Sequence, residues 1–158
     1  MNAKDKYYTI NSKWGDFESE YYTMLSAVDR MIELLEDKYG SLFKASKSLG
    51  FHPTYLTKQL SIFCACPRVM TIDKICKGLD ISLNYAILGY GERQYTENTG
   101  SFKNFLSLYK DRYKGKHHMS LNVSICLINK GVIKSIPLKY LIRVAREQHV
   151  TIDWLIGG

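Results

Sequence analysis

Residues 42–61, LFKASKSLGFHPTYLTKQLS, decide how the rest of the chain is read. Leu42 to Leu49 has the apolar spacing of a short helix that Ser41 can cap, and Gly50 ends it. Pro53 suits the first turn of a second helix, where its missing N–H leaves nothing unsatisfied; Leu56 and Leu60 mark that helix's buried side. Ala45 and Ser46 are small enough for the two helices to cross closely, Gly50 makes the turn, and Phe51, Leu56 and Leu60 bury the unit. His52, Thr54, Tyr55, Thr57 and Lys58 are left on the outer face. A second helix presented in this way can enter a DNA major groove, about 12 Å wide.

Upstream, Met24, Leu25, Val28, Met31, Ile32, Leu35 and Tyr39 recur at intervals of three and four, which predicts an amphipathic helix from Tyr21 that Gly40 stops. Its polar face carries Asp29, Arg30, Glu33, Glu36, Asp37 and Lys38. Downstream, Pro67 breaks the chain, Thr71 opens a helix through Leu79, and a last short helix runs from Leu83 to Leu88 before Gly89. Five short helices with tight connections predict a compact all-α domain over residues 21–91. Residues 1–20 show no helical period but hold Tyr7, Tyr8, Trp14 and Phe17, more aromatic surface than a free tail would expose, so they are expected to form an arm that packs on something.

The tail repeats this pattern. Shifted by 69 residues, Ile72, Ile75, Ile81, Ser82, Leu83, Asn84, Tyr85 and Gly89 fall on Leu141, Val144, Val150, Thr151, Ile152, Asp153, Trp154 and Gly158. Residue class is kept at every pair. The same shift places Leu56 on Ile125, inside an expected helix Leu121 to Asn129. The expectation is two copies of one unit: an all-α chain of two tandem five-helix domains, 21–91 and 101–158, joined by a linker over 92–100. In the second copy Met119 replaces the turn glycine, and Lys114 and Gly115 replace Ala45 and Ser46, so that copy is degenerate.

Charge sets the class of partner. The 158 residues carry 22 Lys and Arg against 15 acids, a net charge of +7. From Met1 to Glu92 there are 11 basic and 11 acidic residues, so the whole excess lies after Glu92. Within the balanced half, Ser41 to Ile72 holds Lys44, Lys47, Lys58 and Arg68 and no acid. Lys103 to Arg146 holds ten basic residues and a single acid, Asp111. Such stretches attract polyanions, and nucleic acid is the commonest, because Lys and Arg on phosphates release condensed counterions. In the second stretch Tyr109 and Tyr113 sit among Lys110, Arg112, Lys114 and Lys116, a mixture able to hold phosphates and stack on bases.

The 42–61 segment, with the endings TIDKICKGLDISLNYAILGYG and LKYLIRVAREQHVTIDWLIGG, resembles the lambda-repressor and Cro type of helix-turn-helix domain, the XRE family. The likeness spans residues 21 to 91 and, more weakly, 99 to 158. It implies a sequence-specific DNA-binding transcriptional regulator of bacterial or phage origin, repressor-like, with the third helix of the first domain in the major groove. By position Thr54, Tyr55, Thr57 and Lys58 become base readers. Lys44, Lys47, His52, Lys110, Arg112, Lys114 and Lys116 become phosphate contacts. Pro53 stands where the family often has a hydrogen-bonding side chain. Double-stranded DNA is the implied partner, and a homodimer on half-sites about 34 Å apart the implied assembly. Alternatively, the two units of one chain address two unlike half-sites.

Other classes find little support. Cys64 and Cys66 are one residue apart with no second pair at zinc-finger spacing, and His117 and His118 are adjacent, so neither a metal nor a cofactor is expected. No glycine-rich phosphate loop, serine elbow, HExxH or carboxylate pair marks an enzyme, and no small-molecule substrate is evident. The longest apolar run, Ile62 to Cys66, is too short for a membrane span, and Met1 to Lys6 is not followed by a hydrophobic segment, which points to a cytoplasmic, nucleoid-associated protein. The competing reading is a protein-interaction adaptor or antirepressor that reuses the fold, holding a partner with the apolar third helix of the second copy.

Overall fold

A computed structural model describes residues 14, 17–61, 67–108 and 136–157 of the chain. The described residues form eight helices and no strand. None of the helices is long and apolar enough to cross a membrane.

Helix α1 (Glu18–Tyr39) buries Met24, Val28, Met31 and Leu35 of the stripe that its spacing predicts, with Ala27 beside them, and half-buries Leu25, Ile32 and Tyr39. It begins three residues earlier than Tyr21, with Glu18 and Glu20 in a first turn where carboxylates suit the helix dipole. Long-range contacts account for the early start. Glu20 is buried and meets the Arg143 guanidinium at 3.1 Å, while the neighbouring Phe17 ring packs edge-on against Tyr140 and lies 3.7 Å beneath the same guanidinium. Trp14 is also buried, so the two described aromatic residues of the arm pack on the fold.

Helix α2 (Leu42–Ser48) starts where Ser41 accepts a hydrogen bond from Lys44 N–H, and α3 (Tyr55–Gln59) follows after the turn at Gly50. The α3 helix opens two residues after Pro53 because Tyr55 N–H first closes a turn on the His52 carbonyl. Helix α4 (Val69–Leu79) begins two residues before Thr71, and α5 (Leu83–Leu88) has the predicted bounds. After the segment at 92–100 come α6 (Lys103–Leu108), α7 (Leu138–Gln148) and α8 (Ile152–Ile156).

The 69-residue repeat has a structural counterpart in two helix pairs. Both bounds of α4 fall on those of α7, and α5 and α8 start in register. Asp80 and His149, equivalent under the shift, both take the left-handed conformation, at φ 53° and 54°. Ile81 N–H and Val150 N–H both return to the carbonyl five residues back. Ser82 and Thr151 then cap the next helix by accepting from Tyr85 N–H and Trp154 N–H. One continuous apolar core runs through both halves, with α1 packed on α5, α2, α4 and α7.

Arg30 shows why the polar face of α1 is not all solvated. Its guanidinium donates to the carbonyls of Ala86, at 2.7 Å, and Tyr85, satisfying the C-terminal end of α5. Gly89 makes room for it: a Cβ there would stand 2.6 Å from Arg30 Nη2, on a backbone at φ +82°. Gly50, at φ +81°, has open space instead. We therefore expect Gly50→Ala to be destabilised only by left-handed strain, about 1–2 kcal/mol, and Gly89→Ala by that strain together with loss of a charge-assisted cap worth about 1.5–3 kcal/mol. Urea unfolding of the two variants checks the order; equal midpoints would remove the role given to Arg30.

Candidate nucleic-acid interface

A five-residue helix cannot sustain itself, so α3 depends on what holds its inner side. Ser46, fully buried on α2, donates its hydroxyl to the Leu42 carbonyl at 2.8 Å and accepts Leu56 N–H at 3.2 Å. The Ser46 carbonyl accepts Phe51 N–H at 2.8 Å, closing the turn. Ala45, Leu56 and Leu60 are buried beside it, so the close crossing expected of the two small residues is present. Through its hydroxyl Ser46 ties α2 to α3, and through its carbonyl it closes the turn between them.

The outer side is polar. Thr54, Thr57 and Lys58 are exposed on α3 and its first turn, and Lys44 and Lys47 are exposed on α2. His52 is exposed at the turn; its Nδ1 accepts Thr54 N–H at 3.3 Å and lies 3.0 Å from Thr54 Oγ1, so it shapes the approach to α3. Thr54 occupies the cap position without a side-chain cap bond of its own. Tyr55 sits apart from these. It is half-buried, stacked on Phe51 with ring centres 4.5 Å apart, and its hydroxyl is 2.9 Å from Thr71 Oγ1. Tyr55 braces α3 against α4 instead of joining the outer row.

Two residues join this surface without having been marked by sequence. Phe43 is exposed in the first turn of α2, under the Lys47 ammonium at 5.5 Å. Lys74 on α4 places its ammonium 4.9 Å from the Phe51 ring, at the turn between α2 and α3. Lys74 lies just beyond the acid-free segment because Asp73 interrupts it, yet the Asp73 carboxylate points to the segment at 92–100, accepting from Tyr95 OH at 3.1 Å and Asn98 Nδ2 at 3.0 Å. Burial, helped by the Asp73 charge, pushes the Tyr95 phenol up to about 12, so it stays a donor at neutral pH. Among the described residues, neither Lys44, Lys47, Lys58, Arg68 nor Lys74 forms an ion pair. What results is an uncompensated cationic surface flanking an outward helix with two hydroxyls and an ammonium, suited to phosphate oxygens and base-edge acceptors.

Lys110, Arg112, Lys114, Lys116, Tyr109, Tyr113 and the expected helix Leu121 to Asn129 lie outside the described residues, as do Cys64, Cys66, His117 and His118. Among the described residues no three His, Cys, Asp or Glu side chains gather at metal-binding distance. Compared with known proteins, the chain matches no family model, no curated protein and no solved structure.

Ser46 supplies the direct test of the geometry. Ser46→Ala keeps the close crossing but leaves the Leu56 N–H without its acceptor, and is expected to cost about 1–3 kcal/mol. Ser46→Val adds volume where none is free and should cost about 1–3 kcal/mol through overpacking as well. Chemical unfolding measures both; an alanine variant as stable as the parent would mean that α3 is seated by something else.

Proposed function

We propose that the chain is a sequence-specific DNA-binding transcriptional regulator of the repressor type, which inserts α3 of its first unit into the major groove of double-stranded DNA. The observation that carries this is the two-sided character of α3: its inner side is tied down by Ser46, Leu56 and Tyr55, while its outer side shows Thr54, Thr57 and Lys58 to solvent. A side chain that only served packing would not be left on that side, and exposed cations without acidic partners on α2 and α4 supply attraction for phosphates.

Roles follow from position. Lys44 and Lys47, three apart on one face of α2, contact the backbone on one side of the groove, and Lys74 extends the contact past the turn. Thr54, Thr57 and Lys58 face the bases, where a hydroxyl or ammonium donor reaches guanine N7 or O6 and each good contact is worth about 1–3 kcal/mol. His52 orients the helix start, and Tyr55 keeps the helix at a fixed tilt. The second half, as a degenerate copy of the same five-helix domain, adds charge and the surface for pairing units. A nucleoid-associated, cytoplasmic location goes with this function.

Binding to a duplex selected from a random pool, measured against salt, tests the mechanism. Log affinity should fall linearly with log salt, by about 0.9 for each phosphate neutralised. Lys44→Ala should weaken all sequences alike and reduce that slope by about 1, whereas Thr57→Ala should relax preference at one base pair and leave the slope unchanged. A flat salt dependence, or equal losses on every sequence for both variants, would refute the assignment.

A further inference from the structure

The two helix pairs meet through a reciprocal cap. Asp153, at the N-terminus of α8, accepts Leu83 N–H at 3.0 Å and Asn84 N–H at 2.9 Å, so its carboxylate caps α5. Asn84, at the N-terminus of α5, accepts Ile152 N–H at 3.1 Å with its side-chain oxygen, so it caps α8. Asn84 and Asp153 are 69 residues apart, the repeat distance itself, as are Leu83 and Ile152. Residue and partner exchange places between the two units, which defines contact across a two-fold axis. The patch of the first unit at the start of α5 is met by the same patch of the second.

Chemistry explains why the pair is Asn with Asp. Two carboxylates at facing helix starts would repel. With an amide on one side, Asn84 keeps one acceptor for Ile152 and turns its NH2 to the Tyr90 carbonyl at 3.1 Å. Asn84 is 4% exposed, so each of its polar atoms needs such a partner.

The units differ where the first one seats its outward helix. Thr71 and Lys74 hold Tyr55 and Phe51 of the α2–α3 unit. Their equivalents, Tyr140 and Arg143, instead hold Phe17 and Glu20 from the start of α1. The same face of the repeated helix thus braces the reading element in one unit and the N-terminal segment in the other.

We propose that the chain is a covalent pseudo-dimer of unlike units: the surface on which the first unit would pair with a second copy is occupied by the second unit of its own chain. One chain therefore fills one DNA site, and that site has no inverted repeat. The stoichiometry on DNA rests on the function proposed above; the closed pairing surface does not.

Sedimentation equilibrium of the full chain should give a monomer throughout the concentration range in which it binds duplex, and native mass spectrometry of the complex one chain per duplex. Asn84→Asp, which faces Asp153 with a second carboxylate, should lower the urea midpoint. The exchange variant Asn84→Asp/Asp153→Asn should recover part of the loss: both variants lack the Tyr90 bond, and the exchange removes the facing like charge, although an amide at 153 accepts only one of the two N–H groups that the carboxylate accepts. A dimeric free chain, two chains per duplex, an inverted-repeat consensus, or an exchange variant no more stable than Asn84→Asp would overturn the proposal. Failure to bind any duplex would strike the proposed function alone, because the mass of the free chain and the exchange experiment stand without DNA.

Discussion

A buried serine hydroxyl held between the Leu42 carbonyl and the Leu56 N–H is the constraint on which the outward helix depends. Helix α3 has five residues, well short of the roughly 12–15 at which an isolated helix becomes even marginal. Its first backbone donors would be orphans in an apolar crossing. Ser46 Oγ takes one of them, from Leu56, and is itself anchored on the Leu42 carbonyl. Ser46 and Ala45 are fully buried, so a larger side chain there would crowd the crossing, and one without a polar atom would leave the donor unsatisfied. Everything on the outer side of α3 inherits its position from this bond, from the Tyr55–Thr71 hydroxyl contact and from Leu56 and Leu60 beneath.

Most of the helices were legible as periodicity and punctuation. The stripe from Met24 to Leu35, the cap at Ser41 and the stops at Gly40 and Gly89 lie where spacing and cap chemistry place them. What local rules missed was set by distant partners. The start of α1 at Glu18 depends on Arg143, more than a hundred residues away, and a glutamate in a helical pattern gives no sign that it will be buried. Arg30, placed on the solvated face by its neighbours, serves the end of α5. Tyr55, next to two exposed threonine positions, turns inward because Thr71 and Phe51 offer its hydroxyl and ring a better place than water does.

The cationic surface was half legible for the same reason. Along the chain the segment without an acid runs from Ser41 to Ile72 and ends at Asp73. The fold then turns that acid toward Tyr95 and Asn98, so that Lys74 extends the row of cations. The repeat, in turn, was visible as matched residue classes. Its physical meaning was not, since Asn84 opposite Asp153 reads as a tolerated substitution until the two are seen capping each other's helices.

Amide chemical shifts of the isotope-labelled chain, followed as a selected duplex is added, report most directly on which surface meets DNA. The largest changes should fall on Lys44 to Lys47 and His52 to Lys58, with Leu56 N–H keeping its protection from exchange as the Ser46 bond persists. Shifts gathered elsewhere, with residues 44–58 unmoved, would contradict the central claim that the helix seated by Ser46 is the one that reads the duplex.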